Sequence, residues 1–293
     1  MSIRAAYAVV ILIWSTTPLT VKWSGEGVGF LFGVTGRMLI GTLLSLLVLR
    51  MFRIRLPLDR DAHITYLASA IGIFGAMFCV YWSAQYIPSG MISVIFAVAP
   101  LMTGMLESWV LQKKTFSLFK ILGFATGFSG IALVFHQGLS IGANTWMGTI
   151  GMLMSVTMFS VSGILVKKYG KDMSPLAANS GGLIYGSTLF LLSWFLLGGH
   201  LPQLIPVKAM ASILYLGIVG TVVGFTLYMY LLKNQSPSTL SMITLVTPVT
   251  ALLIGHWFNN EVIGSSVWIG TLLITAGLIL HSEPGRLIGR LRT

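Results

Sequence analysis

Ten apolar runs follow one another along the chain with only short breaks between them. They fall at approximately 4–22, 29–50, 64–86, 90–111, 117–136, 144–168, 175–198, 208–232, 238–258 and 263–281. A helix needs roughly 20 such residues to cross a hydrocarbon core of about 30 Å. Inside that core no water binds the backbone, so spanning segments are helices or closed barrels, and runs of this length select helices. The breaks carry turn residues, as in Gly25-Glu26-Gly27, Ser174-Pro175 and Gly198-Gly199. Charged residues make up only 9% of the sequence, where a soluble domain has about a quarter. The expected fold is therefore an all-α membrane protein of ten transmembrane helices.

The basic residues test that count. With a cytoplasmic N-terminus, the cytoplasmic segments carry Arg4; Arg50, Arg53, Arg55 and Arg60; Lys113, Lys114 and Lys120; Lys167, Lys168 and Lys171; Lys233; and Arg286, Arg290 and Arg292. The opposite side holds Lys22 and Lys208, and Arg37 lies within the second helix. A wrong count would scramble this alternation, so the positive-inside rule predicts both termini inside, in a bacterial-type inner membrane. The net charge of +11 is spread over these short clusters, which suits an anionic membrane surface and argues against nucleic acid as a partner. The segment from Arg286 to Arg292 reads as a basic tail on that surface. The first run contains Trp14 and Pro18 and lacks a convincing small-residue cleavage site, so it reads as a retained helix. The single cysteine, Cys79, excludes an intrachain disulfide, and no Cys/His metal pattern is present.

The two halves resemble each other at an offset of about 148 residues: Ser93, Pro100 and Trp109 match Ser241, Pro248 and Trp257. Gly123 and Gly130-Ile-Ala-Leu in the fifth helix match Gly270 and Gly277-Leu-Ile-Leu in the tenth. Trp14-Ser15 and Lys22 match Phe159-Ser160 and Lys167 at a slightly smaller offset. The expected units are residues 1–138, and residues 139–293 with the basic tail. Each holds five helices, an odd number, so the second is upside down relative to the first. Inverted repeats of this kind belong to alternating-access transporters.

On these features the sequence resembles the drug/metabolite transporter superfamily, of the EamA type. The resemblance covers essentially the whole chain. It rests on Trp14-Ser15, Gly36-Arg37, the proline-bearing helices Ser89–Leu111 and Pro237–Phe258, Asn259-Asn260-Glu261 and the glycine-rich fifth and tenth helices. The resemblance implies a cavity lined mainly by helices 1, 3, 4, 6, 8 and 9. It also implies small-metabolite substrates such as amino acids or drugs, frequently exported. One position departs from the pattern: the first-half counterpart of Glu261 is Lys113, and the nearby acid is Glu107.

Proline in a helix removes a hydrogen bond and frees the carbonyl four residues back. Pro18 frees Trp14, Pro100 frees Phe96 and Pro248 frees Thr244, giving candidate substrate or hinge positions. Aromatic and hydroxyl residues recur at helical spacing. Phe78, Tyr81 and Trp82 share a face of the third helix; Ser93, Phe96 and Pro100 of the fourth; Ser155, Phe159 and Ser162 of the sixth. Phe225 and Tyr228 do so on the eighth, and Ser241, Thr244 and Pro248 on the ninth. With Trp14, Ser15 and Pro18 these faces make a candidate cavity with apolar walls and a few hydrogen-bonding groups. Ordinary helix packing and interfacial aromatic belts account for the same spacings.

Arg37 lies about eight residues, or roughly 12 Å, into its helix. A cation there costs about 2.5–3.5 kcal/mol on insertion scales, so it must face protein or water. It reads either as an anchor for a substrate anion or as a structural ion, and the second is favoured because helix 2 is not an expected cavity helix. Glu107 lies roughly 26 Å along the fourth helix, near its cytoplasmic end. It is a candidate proton site, or a partner for Lys113 or Lys114. His256 is a weaker proton candidate. Gly123-x3-Gly127 and Gly182-x3-Gly186 permit close helix contact, within one chain or between two copies, so monomer and homodimer are both open.

The sequence therefore predicts a secondary transporter of amino acids or related amphiphiles, with export the expected direction. The alternative of the same fold is a lipid or lipid-linked carrier flippase. A membrane-embedded enzyme has no supporting motif: there is no HExxH, no paired intramembrane aspartates and no Ser/His arrangement. No catalytic residue, metal or cofactor is expected, and the expected partners are a small-molecule substrate, the bilayer and, as an open question, protons. Nothing suggests a channel filter or a nucleotide-binding loop.

Overall fold

Asp59, Ser2 and Ser174 each precede a helix and cap it, their side chains accepting from the backbone N–H of Ala62, Ala5 and Ala177. Each satisfies one of the orphan donors at a helix start. The computed structural model describes residues 2–110, 118–141, 144–170, 173–235, 240 and 243–281. Among them the secondary structure is helical, with no strand. The helices are α1 (Ile3–Gly25), α2 (Phe30–Met51), α3 (Arg60–Ser83) and α4, in two pieces (Ser89–Phe96 and Ala99–Val110). After them come α5 (Leu118–Ile141), α6 (Thr145–Tyr169), α7 (Pro175–Leu196), α8 (Val207–Asn234), α9 (Ile243–Asn259) and α10 (Ser265–His281).

Among the described residues six helices are long and apolar enough to cross a membrane: α1, α2, α3, the Ser89–Leu106 stretch of α4, α6 and α8. Ile121–Val134 in α5 and Ser265–Leu280 in α10 are shorter apolar helices. α7 dilutes its apolar residues with Asn179, Ser180, Gly181 and Gly182, and the expected start of α9 lies outside the described residues. The Asp59 cap starts α3 four residues before the apolar run does, because Arg60, Asp61 and His63 are polar yet helical.

The packing pairs come in twos. α2 lies on α8 and α7 on α3; α1 lies on α9 and α6 on α4; α1 also touches α8, as α6 touches α3. α4 meets α9, and α5 meets α10. Moving every helix five places along the chain maps this set onto itself. A π-helical segment interrupts α3 at Ile71–Ala76 and α8 at Leu216–Gly224. Leu216 follows Ile71 by 145 residues and Gly224 follows Ala76 by 148. Both are glycine-containing and face close neighbours: a Cβ on Gly186 of α7 would meet Ile73 at 2.6 Å, and one on Gly217 would meet Ile40 of α2 at 2.8 Å.

Glycines also set the α5–α10 contact. A Cβ on Gly277 would lie 2.6 Å from the Gly123 oxygen and 2.7 Å from the Gly127 nitrogen, and one on Gly130 would lie 2.6 Å from the Gly270 oxygen. Both glycine pairs, Gly123-x3-Gly127 and Gly182-x3-Gly186, are thus used for helix contacts inside the chain.

Candidate functional site

α1 carries Trp14, Thr17, Pro18 and Val21, the i, i+3, i+4, i+7 spacing of one helical face, and that face lines a cavity. Met77 and Val80 of α3, Ile92, Ser93 and Phe96 of α4, Phe159 of α6, Gly220 and Phe225 of α8 and Thr247 of α9 complete the wall, with Arg37 of α2. About 70 Å³ of it is free to water-sized molecules. That holds a few waters, since one needs about 10–15 Å³ on this measure.

Four aromatic rings form the floor. Trp14 meets Phe96, Phe159 and Tyr228 at centroid distances of 6.3, 6.1 and 5.5 Å, and Phe159 meets Phe96 at 5.0 Å and Tyr228 at 5.1 Å. Below them Phe159, Phe225, Tyr228 and Ser162 line a neck of about 20 Å³. The neck shares Val166, Met229 and Leu232 with a wider space of about 290 Å³ that ends at Lys167 and Lys233. Three hollows therefore run in series from Pro18 to the Lys167–Lys233 end.

At the other end a set of hydrogen bonds ties the helices together. Pro88 precedes α4 and offers no side-chain cap. Glu261 supplies one, accepting from Ser89 N–H at 2.9 Å and Gly90 N–H at 3.2 Å. Asn259 donates to the same carboxylate at 2.9 Å and accepts from the Trp23 indole at 2.9 Å. Lys22 donates to the Ile87 carbonyl at 3.1 Å, and His256 Nδ1 lies 3.0 Å from the Glu261 carbonyl oxygen.

Arg37 is 1% exposed. Its Nε donates to Thr221 Oγ1 at 2.9 Å, while Nη1 is buried with no hydrogen-bond partner. The guanidinium carbon lies 6.0 Å from the Tyr81 ring centroid and 5.7 Å from that of Phe225. Thr221 belongs to the π segment of α8, where the widened turn brings its hydroxyl to α2; such segments are frequent at functional sites. A Cβ on Gly41 would collide with the Thr221 side chain, which fixes how near the two helices come.

The structure gathers Trp14, Pro18, Ser93, Phe96, Phe159 and Phe225 around the cavity, and Ser162 and Tyr228 around the neck. Tyr81 places its ring centroid 6.0 Å from the guanidinium carbon, with its hydroxyl buried and unpartnered. Other expected residues serve packing. Ser15 is 2.6 Å from Thr250 of α9, Phe78 packs on Phe30 and Phe74, and Trp82 packs on Tyr86 and against Gly151. Ser155 is buried with an unpartnered hydroxyl, away from the wall. Pro100 follows the break between the two pieces of α4, where its missing N–H belongs. Thr244 and Pro248 are buried in α9, but Thr247 reaches the cavity in their place. Ser241 and the side chain of Glu107 lie outside the described residues. Thr17, Val21, Met77, Val80, Ile92 and Gly220 were not among the expected wall residues; the α1 pair follows from the spacing of Trp14 and Pro18, and the rest carry no polar signal. The expectation that α2 stands apart from the cavity is corrected by Arg37.

A model of the EamA-like transporter family matches the chain twice, over residues 4–136 and 146–282. Among curated proteins, "Uncharacterized inner membrane transporter YedA" of Escherichia coli (strain K12) is 27% identical over 92% of this chain and 87% of its own length. "Uncharacterized transporter YoaV" of Bacillus subtilis (strain 168) is 23% identical over 93% and 94%. The "Probable terminal-alkyne amino-acid exporter" of Streptantibioticus cattleyicolor is 23% identical over 99% and 96%. One crystal structure matches with a TM-score of 0.72 and 17% identity over 97% of this chain and 98% of that one, a likeness of fold.

Proposed function

The chain belongs to the EamA-like transporter family and is an integral membrane transporter, and from that premise we propose that it is a secondary transporter of amino acids or related amphiphiles, working by alternating access. The observation that carries this reading is the asymmetry of the hollows. Separate hollows follow one another from the aromatic cavity past the Phe159–Tyr228 neck to Lys167 and Lys233, while Glu261, Asn259 and Lys22 tie the other end. In the charge-based topology Lys167 and Lys233 are cytoplasmic, so this is an inward-leading state of a ten-helix fold with both termini inside.

The helix pairs that map onto each other five places along the chain support two inverted five-helix repeats, 1–138 and 139–293. Exchanging the two halves' conformations would open the Glu261 end and close the Lys167 end. A cavity with free space for a few waters must widen to hold a metabolite, which such an exchange would do. The reading of amino acids draws on the mixed wall of aromatic rings, Ser93, Thr17, Thr247 and Arg37, and on a relative named as an amino-acid exporter. Export is the proposed direction.

Purified protein in liposomes, loaded with unlabelled amino acids and offered radiolabelled ones, should show counterflow. Repeating it with and without a pH gradient separates proton coupling from exchange. Failure of every amino acid to move, together with flipping of a fluorescent lipid, would replace this reading by a lipid flippase.

A further inference from the structure

We propose that Arg37 is the anion-binding pole of the cavity and that the cargo carries one carboxylate. The word cargo rests on the transport reading above; the carboxylate site does not. The charge of Arg37 is uncompensated among the described residues. Arg37 is 1% exposed, yet among the described residues the one ion pair joins Lys208 and Glu26 at the surface. A guanidinium serving structure alone satisfies its donors on carbonyls or acids, because an unpaired buried charge is expensive. Here Nε has a neutral hydroxyl, the rings of Tyr81 and Phe225 lie 6.0 and 5.7 Å from the guanidinium carbon, and Nη1 has no partner. The residue also lines the cavity.

Its surroundings hold the fork still rather than quench it. Thr221 fixes Nε, and Gly220, without a side chain, leaves Nη2 room: a Cβ there would lie 3.3 Å from it. The place on α7 that matches Arg37 is Gly182, since Pro175 starts α7 145 residues after Phe30 starts α2. One half supplies a cation and the other a helix contact, so among the described residues the cavity has a single positive pole.

A fixed planar guanidinium matches a planar carboxylate. Among the described residues the other cavity-lining ones are neutral, Trp14, Thr17, Ser93 and Phe96 among them. A monoanion therefore closes the charge balance, whereas a dianionic phosphate ester would leave a second charge unmatched in a low-dielectric site. Esters lack the anion, and an amine without a carboxylate is repelled; an amino acid keeps the carboxylate contact, and its ammonium has the Trp14 and Phe159 rings to face. The aromatic floor of Trp14, Phe96 and Phe159 takes the apolar remainder.

The test uses the full chain in lipid nanodiscs and reads the unfolding midpoint with added 3-phenylpropionate or L-phenylalanine, against the methyl ester of each, phenethylamine and phenyl phosphate. A ligand that binds only the folded state raises the midpoint. The two acids should stabilise the protein, with apparent affinities about tenfold or more above the other compounds. Arg37→Gln should abolish the difference. Gly220→Ala keeps the charge but crowds Nη2, and should weaken the acids several-fold without improving the esters; it carries the test alone if Arg37→Gln does not fold. The proposal is overturned if no acid stabilises, if esters or phenyl phosphate match the acids, or if both variants keep the acid preference. Liposome flux separates the two readings. Acids that bind but never cross would end the transport reading and leave the site standing. Amino-acid counterflow with an unchanged preference in Arg37→Gln would do the reverse.

Discussion

Glu261 and Ser89, 172 residues apart in sequence, are joined by a 2.9 Å hydrogen bond in which the carboxylate accepts the first backbone N–H of a helix. Three donors converge on this carboxylate, the N–H groups of Ser89 and Gly90 and the Asn259 amide. A carboxylate only accepts, so it fits such a set, and the helix N-terminus favours its negative charge. Gly255 allows the approach, since a Cβ there would lie 2.6 Å from Glu261 Oε2.

Glu261→Gln replaces one acceptor with an NH2 group that must face a donor. The expected cost is about 1–3 kcal/mol, seen as a lower unfolding midpoint in nanodiscs. The same variant should loosen the tied end. In a Cys79→Ala background, a cysteine at Ser93 should react faster with a membrane-impermeant maleimide from the Glu261 side than it does with Glu261 intact. An unchanged midpoint and an unchanged labelling rate would show that the bond holds nothing shut.

Much of the cavity wall is legible in sequence because helical spacing is local. Trp14 and Pro18 predict Thr17 and Val21 on the same face, and all four line the cavity. Where the wall departs from the expected faces, it does so by one residue: Ser15, next to Trp14, bonds to Thr250, and Thr247 lines the wall in place of its neighbour Pro248. Neighbours one position apart on a helix differ by about 100° of rotation, and only the packing partner decides between them. Arg37 is the larger correction. Its cost in lipid was readable, but its orientation depends on the π segment of α8, and no sequence period announces that segment. The cap by Glu261 is likewise a contact between the two halves, invisible to any local rule.

Thr221→Val should destabilise the protein by about 1–3 kcal/mol, because it leaves Arg37 Nε buried without an acceptor. Thr221→Ser keeps the oxygen and should recover most of that loss. Removing both partners, in Arg37→Met with Thr221→Val, should cost less than the two single losses together. Additive losses in equilibrium unfolding would show that the bond does not couple α2 to α8.

Gly277→Ala places a Cβ against backbone atoms of Gly123 and Gly127, which cannot turn aside. A cost of about 1–3 kcal/mol is expected from such overpacking, with less folded protein recovered from membranes. Gly224→Ala is the control, since its Cβ would meet the Ile13 side chain and the Val219 oxygen at 3.3 and 3.4 Å. If the two variants behave alike, the α5–α10 contact does not depend on glycine.

Phe159 is the floor ring that lines both the cavity and the neck. Its ring meets Trp14, Phe96 and Tyr228, so its removal joins the cavity to the space leading to Lys167 and Lys233. Phe159→Ala should cost about 2–4 kcal/mol, toward the low end because the ring is only partly buried. Its functional effect should exceed that loss. With the neck widened, counterflow of large and small amino acids should converge, each corrected for the amount of folded protein. Phe159→Leu keeps most of the volume without the flat ring, and should hold the size preference better than alanine does. A size preference that survives Phe159→Ala intact would place the selective step elsewhere on the path, and the ring would then be a packing element of α6 alone.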